Sequence, residues 1–132
     1  MDLMQMAGHL SLEFGAEVEG PYGTDDSQSV RLYLNNGRGV SLAYLAERDA
    51  PGYAELVVLR EIFDGRESGS DTFRWVHDYS TPVTWDVVPS CSLDDVRKHL
   101  ATLRDMAESN RYDLRTGRNH GNSEKNAERG HI

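Results

Sequence analysis

The stretch HLSLEFGAEVEG, residues 9–20, decides how the rest of the chain is read. Leu10, Leu12, Phe14, Ala16 and Val18 fall on even positions, and Glu13, Glu17 and Glu19 fall on odd ones. Successive side chains of a strand point to opposite faces, so alternation with a period of two marks a half-buried strand. The spacing therefore predicts a strand over 10–18, with its even face in a core and its acidic odd face in water. No Lys or Arg occurs before Arg31, while Asp2, Glu13, Glu17, Glu19, Asp25 and Asp26 all precede it.

Working outward, GPYGTDDSQ (20–28) is rich in turn formers and reads as a loop. VRLYLN (30–35) alternates again, with Val30, Leu32 and Leu34 inward, and GVSLAYL (39–45) places Val40, Leu42 and Tyr44 on one parity. A three-residue connection at 36–38 sets Leu34 opposite Val40, Leu32 opposite Leu42 and Val30 opposite Tyr44, matching apolar faces. The same arithmetic across the 20–28 loop sets Arg31 opposite Glu17. ERDAPG (47–52) is a turn. YAELVVLREIF (53–63) reads as a strand or as a helix capped by Asp49; the need of the earlier strands for partners favours the strand.

DGRESGSD (64–71) is a polar loop. TFRWVHDY (72–79) aligns Phe73, Trp75, His77 and Tyr79, and VTWDVV (83–88) aligns Val83, Trp85 and Val87 between Pro82 and Pro89. Proline cannot donate to a ladder, which predicts an edge strand there. Ser92, with Asp95 three residues on, forms a short-armed capping box for a helix over 92–108, striped by Leu93, Val96, Leu100, Leu103 and Ala107. Strands followed by one helix are the α+β pattern. The expected fold is an antiparallel meander of five or six strands with one C-terminal helix packed on one face. Residues 1–108 form the single domain. Residues 109–132 form a polar, weakly basic tail, expected to be flexible or a frayed extension of the helix.

Charge separates these two parts. Residues 1–108 carry 19 acidic and 9 basic side chains, and 109–132 carry 3 and 5, so −10 and +2 give the net −8. An acidic body repels nucleic acid and anionic membranes and attracts basic surfaces. No stretch approaches the ~20 apolar residues of a membrane span. The N-terminus lacks the basic and apolar regions of a secretory signal. The single cysteine, Cys91, forms no internal disulfide, which suits a reducing cytoplasm.

Little chemistry can be read from the residues. Five dispersed histidines and one cysteine give no metal-ligand spacing, and no cofactor motif occurs. Cys91, His77 and Asp78 are the available nucleophile, base and carboxylate for an enzyme. Cys91 just ahead of a helix reads first as a small, partly buried residue before the N-cap, and that reading is preferred to a nucleophile. Trp75, Trp85, Phe73, Tyr79 and Tyr33 suggest a stacking platform, but such platforms sit in positive surroundings and this body is negative. The two tryptophans are expected in the core, with Tyr33 exposed beside the glutamates. Arg111, Arg115, Arg118, Lys125 and Arg129 make only a dispersed basic tail.

In size, charge and missing chemistry the chain resembles toxin-neutralising immunity proteins and phage-encoded antagonists of host defence. The resemblance implies a non-enzymatic inhibitor, standing where nucleic acid would, that blocks a basic protein partner. The expected contact residues are Glu13, Glu17, Glu19, Asp25, Asp26 and Tyr33. Self-association through an edge strand at 83–88 is the third reading.

Overall fold

The structure, a computed structural model, describes residues 1–63, 73–84, 86–108, 112–113 and 118–119. It opens with a helix, α1 (Leu3–Phe14), where a strand over 10–18 was expected. The Asp2 carboxylate accepts the Gln5 N–H at 2.8 Å, and the Gln5 side chain accepts the Asp2 N–H at 3.0 Å, closing a capping box. Leu3, Met6, Ala7 and Leu10 recur at helical spacing and are all buried. Gly15, at φ 65°, stops the helix in the left-handed conformation that glycine adopts without strain.

Both periods fit the short window from Leu10 to Phe14, and the cap selects the helical one. At about 100° per residue, Leu12 lies roughly 200° around the helix from Leu10. Leu10 is accordingly 0% exposed and Leu12 89% exposed. The even positions therefore do not form one core face: Leu10 and Ala16 are buried and Phe14 packs against the core, but Leu12 and Val18 are exposed.

Five strands then run as an antiparallel meander: β1 (Glu17–Thr24), β2 (Ser27–Tyr33), β3 (Arg38–Leu45), β4 (Ala54–Phe63) and β5 (Phe73–His77). A short sixth strand, β6 (Val88–Cys91), shares the outer edge of β4 with β5. It pairs Cys91 with Ala54, whereas β5 pairs with residues 59–63. Residues 53–63 are thus strand from Ala54 onward. Helix α2 (Leu93–Arg104) packs Val96, Leu100 and Leu103 on the sheet. The five-plus-one meander and its C-terminal helix are the expected α+β fold, with α1 added on the same face.

The turns correct the register. β1 and β2 close through Asp25 and Asp26 alone, so the 20–28 segment is mostly strand, and Arg31 faces Glu19 while Glu17 faces Tyr33. Between β2 and β3 the connection is 35–37: the Leu34 N–H donates to the Arg38 carbonyl at 2.8 Å, and Gly37 takes φ 75°. Leu32 therefore faces Val40, and Val30 faces Leu42. The expected parity holds, because a two-residue slip keeps the same face inward, but only the turn geometry selects the register.

Residues 83, 84, 86 and 87 are not in the expected strand. The Thr81 hydroxyl accepts the Val83 N–H at 3.3 Å, and the Thr84 hydroxyl accepts that of Asp86 at 2.9 Å. The Asp86 carboxylate takes the Val87 N–H at 2.8 Å. Side chains that capture nearby N–H groups compete with a ladder.

Ser92 and Asp95 form the expected capping box of α2, at 3.2 Å and 3.0 Å. The helix ends at Arg104, not at 108, and Ala107 is exposed. The β2–β3 turn caps its end: Asn36 Nδ2 donates to the Leu103 carbonyl at 2.9 Å, and Arg38 Nε to the Ala107 carbonyl at 3.0 Å. The core lies between the two helices and one sheet face, built on Val30, Leu32, Val40, Leu42, Leu56 and Val58.

Loop 64–71, Trp85 and most of the 109–132 tail lie outside the described residues. Within the tail, Tyr112–Asp113 (β7) pairs with Arg118–Asn119 (β8).

Candidate functional site

The sheet face turned away from the helices carries the site. Cross-strand pairing places Glu17, Tyr33, Gly39, Leu59 and His77 in one row across β1 to β5. Directly paired residues share a face, and so do residues two apart, so Glu19, Arg31, Glu61 and Trp75 join the same side. A cleft on this face measures about 470 Å³. Tyr33 and Trp75 line it together with Glu17, Glu19 and Glu61, and Asn35 and Gly37 also contribute to its wall.

Tyr33 and Trp75 belong to strands three apart, about 14 Å in a flat sheet. Their ring centroids are nevertheless 4.4 Å apart, at 34°. The curl of the sheet and the lack of a side chain at Gly39, between them, let the rings meet. A Cβ at Gly39 would come within 2.3 Å of the Leu32 carbonyl oxygen, so the backbone requires glycine there. Leu59 is fully buried on this face, and Phe63 packs edge-on to Phe73 at 5.2 Å. The outer face thus has a small apolar layer of its own beneath a charged rim.

The rim is organised by Glu19. It accepts a short hydrogen bond from the Tyr33 hydroxyl and one from the Tyr22 hydroxyl at 3.3 Å. The Tyr33 phenol is held above its ordinary pKa by burial first and the Glu19 hydrogen bond second, with Arg31 acting in the opposite direction. Among the described residues Glu17 has no ion-pair partner.

The expected acidic surface divides. Glu17, Glu19 and Tyr33 come together in the cleft. Glu13 leaves it, because α1 turns it toward α2, where both its oxygens accept from Arg97 Nε at 2.7 and 3.0 Å. Arg97 also pairs with Asp94. Asp25 and Asp26 sit at the far tip of the β1–β2 hairpin, roughly 20 Å from Glu19 at ~3.3 Å per residue. Asp25 lines a second cavity of 440 Å³ with Met6, Tyr44 and Tyr53. Trp75 and Glu61 were not foreseen as site residues. Trp75 is half-buried on the outer face, not in the helix-packed core.

The candidate catalytic residues do not converge. Cys91 pairs with Ala54, whose side chain lies in the helix-packed core, whereas His77 pairs with Leu59 on the opposite face. Burial, helped by the Asp95 charge, pushes the Cys91 thiol up to about 11, away from thiolate chemistry. His77 Nδ1 lies 3.0 Å from the Tyr79 hydroxyl. The buried Asp78 is occupied by Arg38 at 3.4 Å and by the Ser80 N–H and hydroxyl at 3.0 and 2.5 Å. Among the described residues no three His, Cys, Asp or Glu side chains gather as a metal site, and no helix is long and apolar enough to cross a membrane. The chain matches no protein-family model, no curated protein and no solved structure.

Proposed function

We propose that this chain is a non-enzymatic binding protein that neutralises or blocks a basic protein partner, in the manner of an immunity protein or a phage antagonist of host defence. The observation that supports it is the outer-face cleft, where Glu17, Glu19 and Glu61 surround the Tyr33–Trp75 pair on a chain of net charge −8. A negative rim raises the rate of encounter with a positive surface, and desolvated aromatics at its centre supply most of the affinity. A partner that normally holds nucleic acid offers the required Lys/Arg surface. The acidic body would take the place of the phosphates and would not itself bind nucleic acid. The free, buried Cys91 suits a reducing cytoplasm as the place of action.

The test is affinity capture from the source cell or its host at low and high salt, comparing wild type with Glu17→Lys/Glu19→Lys. Wild type is expected to retain a basic, nucleic-acid-handling protein that elutes as salt rises, and the charge-reversed variant to lose it. An identical set of retained proteins for both chains refutes the reading.

A further inference from the structure

We infer that the cleft is a receptor for a single guanidinium group, so that the partner is held by one arginine inserted between the glutamate rim and the Tyr33–Trp75 floor. This rests on the binding role proposed above and specifies its chemistry. Carboxylates alone would make only a hydrated rim. Here they stand around an aromatic pair, in a concavity whose 470 Å³ falls within the ~300–1,000 Å³ of small-ligand pockets.

Three features select arginine. The floor is aromatic, and the guanidinium is a flat, weakly hydrated cation that stacks on such rings, Trp above all. Carboxylates stand on the β1 side at Glu17 and Glu19. The two Glu19 oxygens already accept from the Tyr33 and Tyr22 hydroxyls, so it is Glu17 that can meet a planar fork of N–H groups in two-point fashion, while an ammonium meets it only as a point charge. Glu17 brings a carboxylate that is not already engaged by a cation among the described residues. An anionic ligand is repelled by the same rim, and a neutral apolar side chain would desolvate the carboxylates without replacing their hydrogen bonds.

The experiment titrates the full chain with three capped pentapeptides, Gly-Arg-Gly-Arg-Gly and its lysine and citrulline counterparts, following the Trp75 indole N–H by NMR. The arginine peptide is expected to saturate the Trp75 shift, the lysine peptide to bind at least fivefold more weakly, and the citrulline peptide not to bind. Glu17→Gln/Glu19→Gln should weaken the arginine peptide at least tenfold. Trp75→Leu should remove binding and Trp75→Phe retain part of it, with the amide spectrum of each variant checking the fold; for these two, Tyr33 and Gly39 amides report binding. Equal arginine and lysine affinities, or arginine binding that survives Trp75→Leu in a folded chain, overturns the inference. Retention of a basic partner that depends on the glutamates but not on Trp75 also overturns it, while leaving the broader binding role standing. Arginine-selective binding without any captured partner upholds the receptor and removes the inhibitor role.

Discussion

Replacing Leu10 and Leu12 separately by alanine tests the N-terminal helix against the strand that its sequence imitates. A strand over 10–18 puts both leucines in the core and makes the two substitutions equally harmful. The helix separates them, with Leu10 at 0% exposure among Leu3, Met6 and the sheet, and Leu12 at 89%. Truncating a fully buried leucine costs about 2–5 kcal/mol, from lost transfer energy and the cavity left behind. Leu12→Ala removes a side chain already in water, and alanine is the slightly better helix former, so its effect stays within about 0.5 kcal/mol.

Urea unfolding followed by circular dichroism reads the difference. With m near 1–3 kcal/mol per molar urea, a loss of about 3 kcal/mol lowers the midpoint by roughly 1–3 M, while Leu12→Ala leaves it nearly unmoved. A large asymmetry supports α1. Equal losses in the two variants would falsify it, and with it the orientation of Glu13 toward Arg97.

Ser92→Ala removes one half of the α2 capping box and should cost about 1 kcal/mol, visible as a lower urea midpoint; Ser92→Thr should restore most of it, and no change for alanine contradicts the cap. Cys91 should be silent to a thiol reagent at pH 8 in the native state and react on unfolding, because burial raises its thiol to about 11 and hides it; comparable native and denatured rates contradict this. The Arg48 guanidinium, first, and the Leu45 N–H hold the Asp49 carboxyl below the usual carboxylate range against the effect of burial. A folded pKa below the unfolded one stabilises fully above the ordinary Asp value near ~4 and is lost as pH falls through the folded value. Melting temperatures from pH 2 to 7 should therefore show a shallower acid decline for Asp49→Asn than for wild type, and parallel curves would contradict the assignment.

Where local signals agree, the sequence predicts the fold well. α2 is legible because Ser92, Asp95 and the stripe Val96, Leu100, Leu103 each point to a helix at the same place. β2 and β3 are legible because alternation and turn residues coincide, whereas β4 fits a helix as well as a strand and is assigned only by the need of β3 for a partner. α1 is hidden because Leu10, Leu12 and Phe14 satisfy a period of two, while the Asp2–Gln5 cap and the Leu3, Met6, Ala7, Leu10 stripe lie mostly upstream of that window. The strand expected over 83–88 fails around Thr84 and Asp86 for a different reason: both look like exposed strand positions, but their side chains take the backbone N–H groups that a ladder needs.

The site follows the same division between local and distant information. Glu17, Glu19 and Tyr33 are brought together by one hairpin, and a hairpin can be anticipated from its own residues. Trp75 reaches Tyr33 only because β3 and β4 lie between them, Gly39 leaves the intervening row open and the sheet curls; none of these is written near Trp75 in the chain. That distinction bears on function. A run of glutamates by itself describes solubility as well as recognition, and one of them, Glu13, is committed to holding two helices together. It is the long-range arrival of Trp75 in the cleft with Glu17 and Glu19 that turns a negatively charged edge into the shaped concavity proposed to receive an arginine. Substitutions that keep the charge but remove the indole should therefore separate recognition from mere repulsion of nucleic acid.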